Sequence, residues 1–128
     1  MVDPSSVLTA PPALPEGLQT RPVGPDDRPA LAAFLSAAHP DSPLAVADLE
    51  RHAAFRVPGE PHWHVLAERD GKIVGVAEAG IPRMDGHPGW RQVSVTTHPP
   101  DAALLDTLLG HAEAQAIASG GHTLVAGA

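Results

Sequence analysis

The stretch VSVTTHPPDAALLDTLL, residues 93–109, decides the fold, because a strand pattern turns into a helix pattern inside it. Its first half is rich in β-branched residues, and its second half repeats leucine at helical spacing. A strand that leads directly into a helix often carries a glycine-rich turn whose amides hold a phosphate. Here Pro99 and Pro100 have no amide hydrogen, and Asp101 places a negative charge at the helix N-terminus. The residues therefore predict no phosphate-binding turn at this junction.

The composition indicates an ordinary globular domain. The chain has 128 residues, which is one domain's worth, and its formal charge of −7 argues against nucleic acid or an anionic membrane as a partner. There is no cysteine, so disulfides and thiolate metal sites are excluded. No stretch resembles a signal peptide or membrane span, which favours a cytoplasmic location. We expect residues 1–17, rich in proline and without periodicity, to be a flexible leader, and residues 18–128 to be the folded domain.

The hydrophobic patterns predict alternating strands and helices. Asp70-Gly71 lies between two β-rich runs and predicts a hairpin with a tight two-residue turn. Ser42 and Pro43 suggest the N-cap and first position of a second helix. The predicted order is a strand from residue 18, two helices, the hairpin at 62–80, a strand at 90–97, a helix at about 101–119 and a strand from 122. The last strand–helix–strand unit implies parallel neighbours after an antiparallel hairpin, hence a mixed α/β sheet with flanking helices.

Three segments in this order resemble the GNAT superfamily of acyl-CoA N-acyltransferases. They are LQTRPVGPDDRPALAAFL (18–35), HVLAERDGKIVGVAEA (64–79), and VSVTTHPP with ALLDTLLGHAEAQA (93–116). The stretch DLERHAAFRVPGEPHWHVLAERDGKIVG (48–75) is similar to bacterial GNAT proteins with two such domains in tandem. The resemblance implies a GNAT-like α/β fold that is C-terminally incomplete, truncated after the fifth strand, and a second GNAT domain in the same chain.

The resemblance also implies a function and a cofactor. Such proteins transfer an acetyl group from acetyl-CoA to a small-molecule amine or a peptide. By position, the backbone of Val95 and Thr97 would contact the pantetheine arm of acetyl-CoA. The family's arginine- and glycine-rich diphosphate signature is missing after His98, and so is the tyrosine that often serves as general acid. We therefore expect this domain to bind acetyl-CoA weakly, if at all, and to be catalytically inactive alone. The alternative is a non-catalytic binding or dimerisation module, such as a homodimer joined through an exposed sheet edge.

Two sets of side chains are candidates for chemistry. Counting outward from the Asp70-Gly71 turn places Glu78 opposite Trp63 on an apolar face, where a raised pKa would suit a general base that deprotonates an amine. The alternative is a solvated carboxylate near a strand end. His62 and His64 are two apart and share a strand face, a spacing that suits a metal. No third ligand is evident from the sequence, so we predict no metal site.

Overall fold

The computed structural model describes residues 13–57, 59–82 and 89–126. In chain order the elements are β1 (Leu18–Pro22), a short 3₁₀ turn (Pro25–Asp27), α1 (Arg28–Ala38), α2 (Val46–Ala54), β2 (His62–Arg69), β3 (Lys72–Gly80), β4 (Trp90–Thr97), α3 (Ala102–Ala118) and β5 (Thr123–Ala126). Within these ranges, the structure contains no helix with the length and apolar character that crossing a bilayer requires. Most of the predicted leader, residues 1–12, lies outside the described residues.

The strands form one mixed sheet in the order β1-β2-β3-β4-β5. The first three pairings are antiparallel, and β5 runs parallel to β4. The parallel pair follows from the α3 crossover, since neighbouring parallel strands need a connection of this length. The predicted mixed α/β sheet with flanking helices is therefore confirmed.

Helices cover both faces of the sheet. On one face, α3 buries Leu104 and Leu108 against Val65 and Ala77, and further along it packs two alanines against Val93. On the opposite face, α1 packs against Leu66 and Val76. Leu14 of the predicted leader also packs on the α3 side, so ordered chain begins before the predicted boundary at residue 18.

The helix starts differ in part from the prediction. Asp101 caps α3 as expected, because its side chain accepts a hydrogen bond from the Leu104 amide. The predicted Ser42 cap is wrong: α2 begins only at Val46, after Ala45. There the Asp48 carboxylate accepts a hydrogen bond from the Ala45 amide at 2.8 Å, which closes the helix start without a side chain at the cap position.

The β2–β3 hairpin contains the irregularity that positions the candidate site. Asp70 and Gly71 both have positive φ, 54° and 76°, as the predicted turn requires. Beyond the turn the register shifts: Glu68 pairs with Ile73, but Ala67 pairs with Gly75, so residue 74 is an extra, bulged residue. Every later residue of β3 is displaced by one from a regular count.

The bulge overturns the predicted neighbour of Glu78. Glu78 lies opposite His64, and Trp63 lies opposite Ala79. Since side chains alternate along a strand, Glu78 points to the α1 face of the sheet. Trp63 lies on the other face, where it packs against the buried apolar residues under α3. Counting outward from a tight turn assumes a regular ladder, and the bulge breaks that assumption.

Candidate functional site

An open cleft of about 1370 Å³ lies between the sheet and the two helices of the α1 face. Its floor is formed by the strands, and its walls include Leu31 and Leu35 of α1 and Leu49 of α2. The polar floor residues come from β2, β3 and β4; they are His62, His64, Glu78, Gln92, Ser94 and Thr96. Apolar walls around a few convergent polar groups are typical of a small-molecule site.

The polar side chains converge on one carboxylate oxygen. Glu78 Oε2 lies 2.8 Å from His62 Nε2, within hydrogen-bond distance, and 3.7 Å from His64 Nδ1. The rings of the two histidines meet edge to face, with centroids 5.6 Å apart. Arg56, in the loop after α2, brings its guanidinium to 3.7 Å from the same oxygen. One carboxylate therefore faces three basic side chains.

This environment sets the charge state of the carboxylate. Burial by itself raises the pKa of Glu78, but the hydrogen bond from His62 acts in the opposite direction and holds the negative charge. The nearby charges of His64, His62 and Arg56 lower it further, so the pKa of Glu78 lies below its ordinary value. The raised pKa expected beside an indole is therefore wrong, because the neighbours are basic groups and not Trp63.

His64 shows the complementary effect. Burial lowers its pKa, since a charged imidazole loses its hydration there. The charge of Glu78 raises the pKa of His64, and the charges of His62 and Arg56 lower it, leaving a value below the ordinary one. At neutral pH, His64 is therefore a neutral imidazole beside an ionised carboxylate, and its ring nitrogen can accept a proton or bind a cation.

The predicted cofactor-contacting residues lie on the outer part of β4. The His98 amide donates to the Val74 carbonyl of β3 at 3.2 Å, and backbone groups alternate in direction along a strand. The amides and carbonyls of Val95 and Thr97 therefore point away from β3. On that side β5 pairs only with Trp90–Val93, so residues 94–97 of β4 meet no strand among those described. Within the described part of the chain, no strand takes up the outward backbone groups of Val95 and Thr97, so a ligand that lies along the edge can bond to them.

The junction between β4 and α3 offers few donors to an anion. Pro99 and Pro100 lack amide hydrogens, and the Asp101 amide donates to Thr97 Oγ1 at 3.3 Å. The Leu104 amide bonds to the Asp101 carboxylate at 3.0 Å, and the Leu105 amide bonds to the Asp101 carbonyl at 2.9 Å. At most two amides of the first helical turn remain for an outside acceptor, and a carboxylate lies next to them.

The sequence indicated Glu78 as a candidate, but neither its place beside the histidines nor the membership of Arg56 could be found by local pattern. The sequence indicated a histidine pair, but the bulge that adds Glu78 to it depends on pairing across the hairpin. Arg56 lies in the loop before β2, and a loop has no repeating pattern from which the direction of a side chain could be predicted. A signal for the bulge does exist, since a glycine inside a strand often marks one, and Gly75 lies directly beside it.

Comparison with known proteins shows the fold. No family model and no curated protein matches the sequence. Among solved structures, a Salmonella typhimurium protein described as an acetyltransferase, with its cofactor acetyl-CoA, matches with a TM-score of 0.70 at 22% identity over 87% of this chain and 69% of that one. A ribosomal-protein-alanine N-acetyltransferase from Brucella melitensis matches with a TM-score of 0.70 at 22% identity over 84% of this chain and 72% of that one.

A third match carries the name of the superfamily. An acetyltransferase of the GNAT family from Streptococcus pneumoniae has a TM-score of 0.64 at 21% identity, covering 80% of this chain and 68% of that one. Each of these matches covers at least 80% of this chain and so takes in most of its mixed sheet and flanking helices. The chain therefore has the GNAT acyl-CoA N-acyltransferase fold.

Proposed function

We propose that this chain is the N-terminal GNAT domain of an acetyltransferase that moves an acetyl group from acetyl-CoA to an amine. The observation that carries the proposal is the open edge of β4. There the backbone groups of Val95 and Thr97 point away from β3. Both residues lie beyond Val93, the last residue of β4 that pairs with β5. An extended amide-containing arm such as pantetheine can hydrogen-bond along such an edge as an added strand would. The Salmonella neighbour, which has the same fold, was solved with acetyl-CoA.

The cleft supplies a place for the acceptor amine. An amine enters as an ammonium ion and must lose a proton before its nitrogen attacks the thioester carbonyl. The ionised Glu78 attracts that cation, and since the pKa of this carboxylate is low, the proton passes to the neutral imidazole of His64 beside it, directly or through one water. The C–S bond of the tetrahedral intermediate then breaks, and the thiolate of coenzyme A leaves and takes up the second proton that the attacking nitrogen loses. Glu78 is opposite Ser94 of the neighbouring strand β4, so it lies about two strand spacings, ~10 Å, from an arm added along the open edge of β4.

The binding of the acetyl donor, acetyl-CoA, is the part of the reaction for which this domain is least suited. Two prolines and Asp101 occupy the junction where a diphosphate would need amide hydrogens and a positive helix end. We therefore propose that the domain holds acetyl-CoA loosely and transfers acetyl slowly or not at all alone. A second GNAT domain in the same chain would supply the complete diphosphate site; its support is the similarity of residues 48–75 to tandem GNAT proteins.

Calorimetric titration of residues 1–128 with acetyl-CoA, followed by an acetylation assay on a panel of amines, tests this function. We expect weak binding that acetyl-pantetheine, which lacks the diphosphate, shares, because the arm and not the diphosphate makes the contacts. Repeated acetyl transfer by this chain alone would contradict the proposal that the domain holds acetyl-CoA loosely and transfers acetyl slowly or not at all. Complete lack of competition between acetyl-CoA and a pantetheine fragment would contradict the proposed edge contact.

A second candidate is an assembly module that keeps the fold without the reaction. The observation that favours it is β5, a strand of four residues at the sheet edge whose Leu124 is 37% exposed. Edge strands with exposed apolar side chains favour pairing with another chain. Sedimentation equilibrium distinguishes the two candidates: a dimer that Leu124→Lys converts to monomer supports the assembly role, and a monomer at all concentrations argues against it.

A further inference from the structure

The convergence of two imidazoles on one carboxylate has a use outside acetyl transfer. Among the described residues, one ligand atom each from His62, His64 and Glu78 all lie within 4.8 Å of one another. We propose that these three residues bind a divalent metal ion of the Zn²⁺ class. Two imidazole nitrogens and one carboxylate oxygen form a common donor set for zinc, with a further position left for water or another ligand.

The scaffold holds the three donors in fixed directions. His62 and His64 are neighbours on one face of β2, and His64 pairs directly with Glu78 on β3. Both strands lie inside the five-stranded sheet, which limits backbone movement. The bulge in β3 is essential, because a regular hairpin would turn Glu78 to the opposite face and leave only a histidine pair.

The two carboxylate–imidazole spacings are close to those of a tetrahedral site. Zinc bonds of about 2.0–2.1 Å place neighbouring ligand atoms roughly 3.3 Å apart. The carboxylate oxygen is now 2.8 Å from His62 Nε2 and 3.7 Å from His64 Nδ1, so each distance changes by about half an ångström on binding. Rotation about side-chain bonds accomplishes such changes without moving the strands.

The surroundings of the site are also suitable. All three residues line the open cleft, so the ion has a path from solvent and its remaining position faces the cleft. The exposed fractions of the His62, His64 and Glu78 side chains are 22%, 18% and 38%. Arg56, at 3.7 Å from the carboxylate oxygen, competes with a metal for the same negative charge. This competition makes a specific prediction for the Arg56 variant.

Isothermal titration of chelator-treated chain with ZnSO₄ at pH 7.5 tests the proposal. We expect one Zn²⁺ per chain and a loss of at least tenfold in affinity for His62→Ala and for Glu78→Gln. His62→Ala changes a surface position, and circular dichroism verifies that both variants fold. His39→Ala is the matched control, because His39 lines the same cleft but lies outside the cluster; its affinity should equal that of the parent.

Arg56→Gln separates metal binding from a purely structural cluster. Removing a competing positive charge should tighten Zn²⁺ binding by roughly threefold or more, whereas mere loss of a structural contact would not. Cobalt substitution gives an independent readout, since a tetrahedral Co²⁺ site with histidine ligands has a visible spectrum that His62→Ala should change. Absence of stoichiometric Zn²⁺ binding, or binding that neither His62→Ala nor Glu78→Gln weakens, overturns the proposal.

The metal-site proposal and the acetyl-transfer proposal can be tested independently of each other. Zn²⁺ binding is measured without acetyl-CoA or amine, so its failure leaves the proposed reaction untouched. If both hold, a bound ion occupies the carboxylate and the imidazole that would otherwise hold the ammonium ion and take its proton. Zn²⁺ would then inhibit transfer with a midpoint equal to its calorimetric affinity, and His62→Ala, which keeps Glu78 and His64, would raise that midpoint in step with its weaker Zn²⁺ affinity.

Discussion

Replacing Asp101 by serine should improve the binding of acetyl-CoA. The Asp101 carboxylate bonds to the Leu104 amide at 3.0 Å and so lies directly at the N-terminus of α3, where a diphosphate would approach. Serine is also a good N-cap, so Asp101→Ser keeps the helix start and removes only the charge. The variant also leaves the positive end of the helix dipole unneutralised.

The size of the effect follows from the geometry. A carboxylate and a phosphate charge about 5 Å apart repel by roughly 1 kcal/mol in a solvent-exposed site, and salt reduces the contribution of the second phosphate. Removing about 1–2 kcal/mol of repulsion corresponds to an affinity gain of roughly five- to thirtyfold. Calorimetry at low ionic strength measures the gain, and added salt should diminish it.

Asp106→Ser provides the matched control. Asp106 is exposed on the same helix, further from its start, so its replacement changes the net charge equally without altering the helix end. We expect little change in affinity from it. An unchanged affinity for Asp101→Ser, or an equal gain from Asp106→Ser, would refute the reasoning that a local charge at this junction opposes the diphosphate.

Three further predictions concern stability. Gly75→Ala should lower the free energy of unfolding by about 1–3 kcal/mol in urea melts, because its new Cβ would lie 2.7 Å from Cδ1 of the fully buried Leu108. Arg91→Met should cost roughly 2–4 kcal/mol by the same measurement, since the buried guanidinium donates to Ser119 Oγ at 2.9 Å, to the Ser119 carbonyl at 2.7 Å and to the Trp90 carbonyl at 2.8 Å. In metal-free protein, the free energy of unfolding should fall as the pH drops below about 6.5, because the pKa of His64 is depressed in the folded state and the unfolded chain binds the proton more readily. His64→Asn should flatten this pH dependence, and an unchanged slope would contradict the assignment of the effect to His64.

The features that local sequence determines were predictable. The turn between β2 and β3 needs two consecutive residues with positive φ. Few dipeptides tolerate both angles, so Asp70-Gly71 is recognisable in the sequence as such a turn. The change from strand to helix between residues 97 and 102 is equally local, and Asp101 caps the helix as predicted. The start of α2 was missed because the carboxylate that accepts its cap hydrogen bond belongs to Asp48, inside the helix, and the cap residue Ala45 contributes only its backbone amide.

The position of Glu78 was not predictable by counting, but a physical conflict in the count pointed to the error. A regular hairpin places this carboxylate beside Trp63, on the face that α3 covers, where an unpaired charge costs several kcal/mol. One bulged residue beside Gly75 removes the conflict: it turns Glu78 to the cleft, and it leaves Ala77 and Ala79 to pack under α3. Disruption of the ladder at one residue is the smaller cost. The same displacement brings a carboxylate to the histidine pair, so the geometry that avoids a buried charge also creates the candidate site.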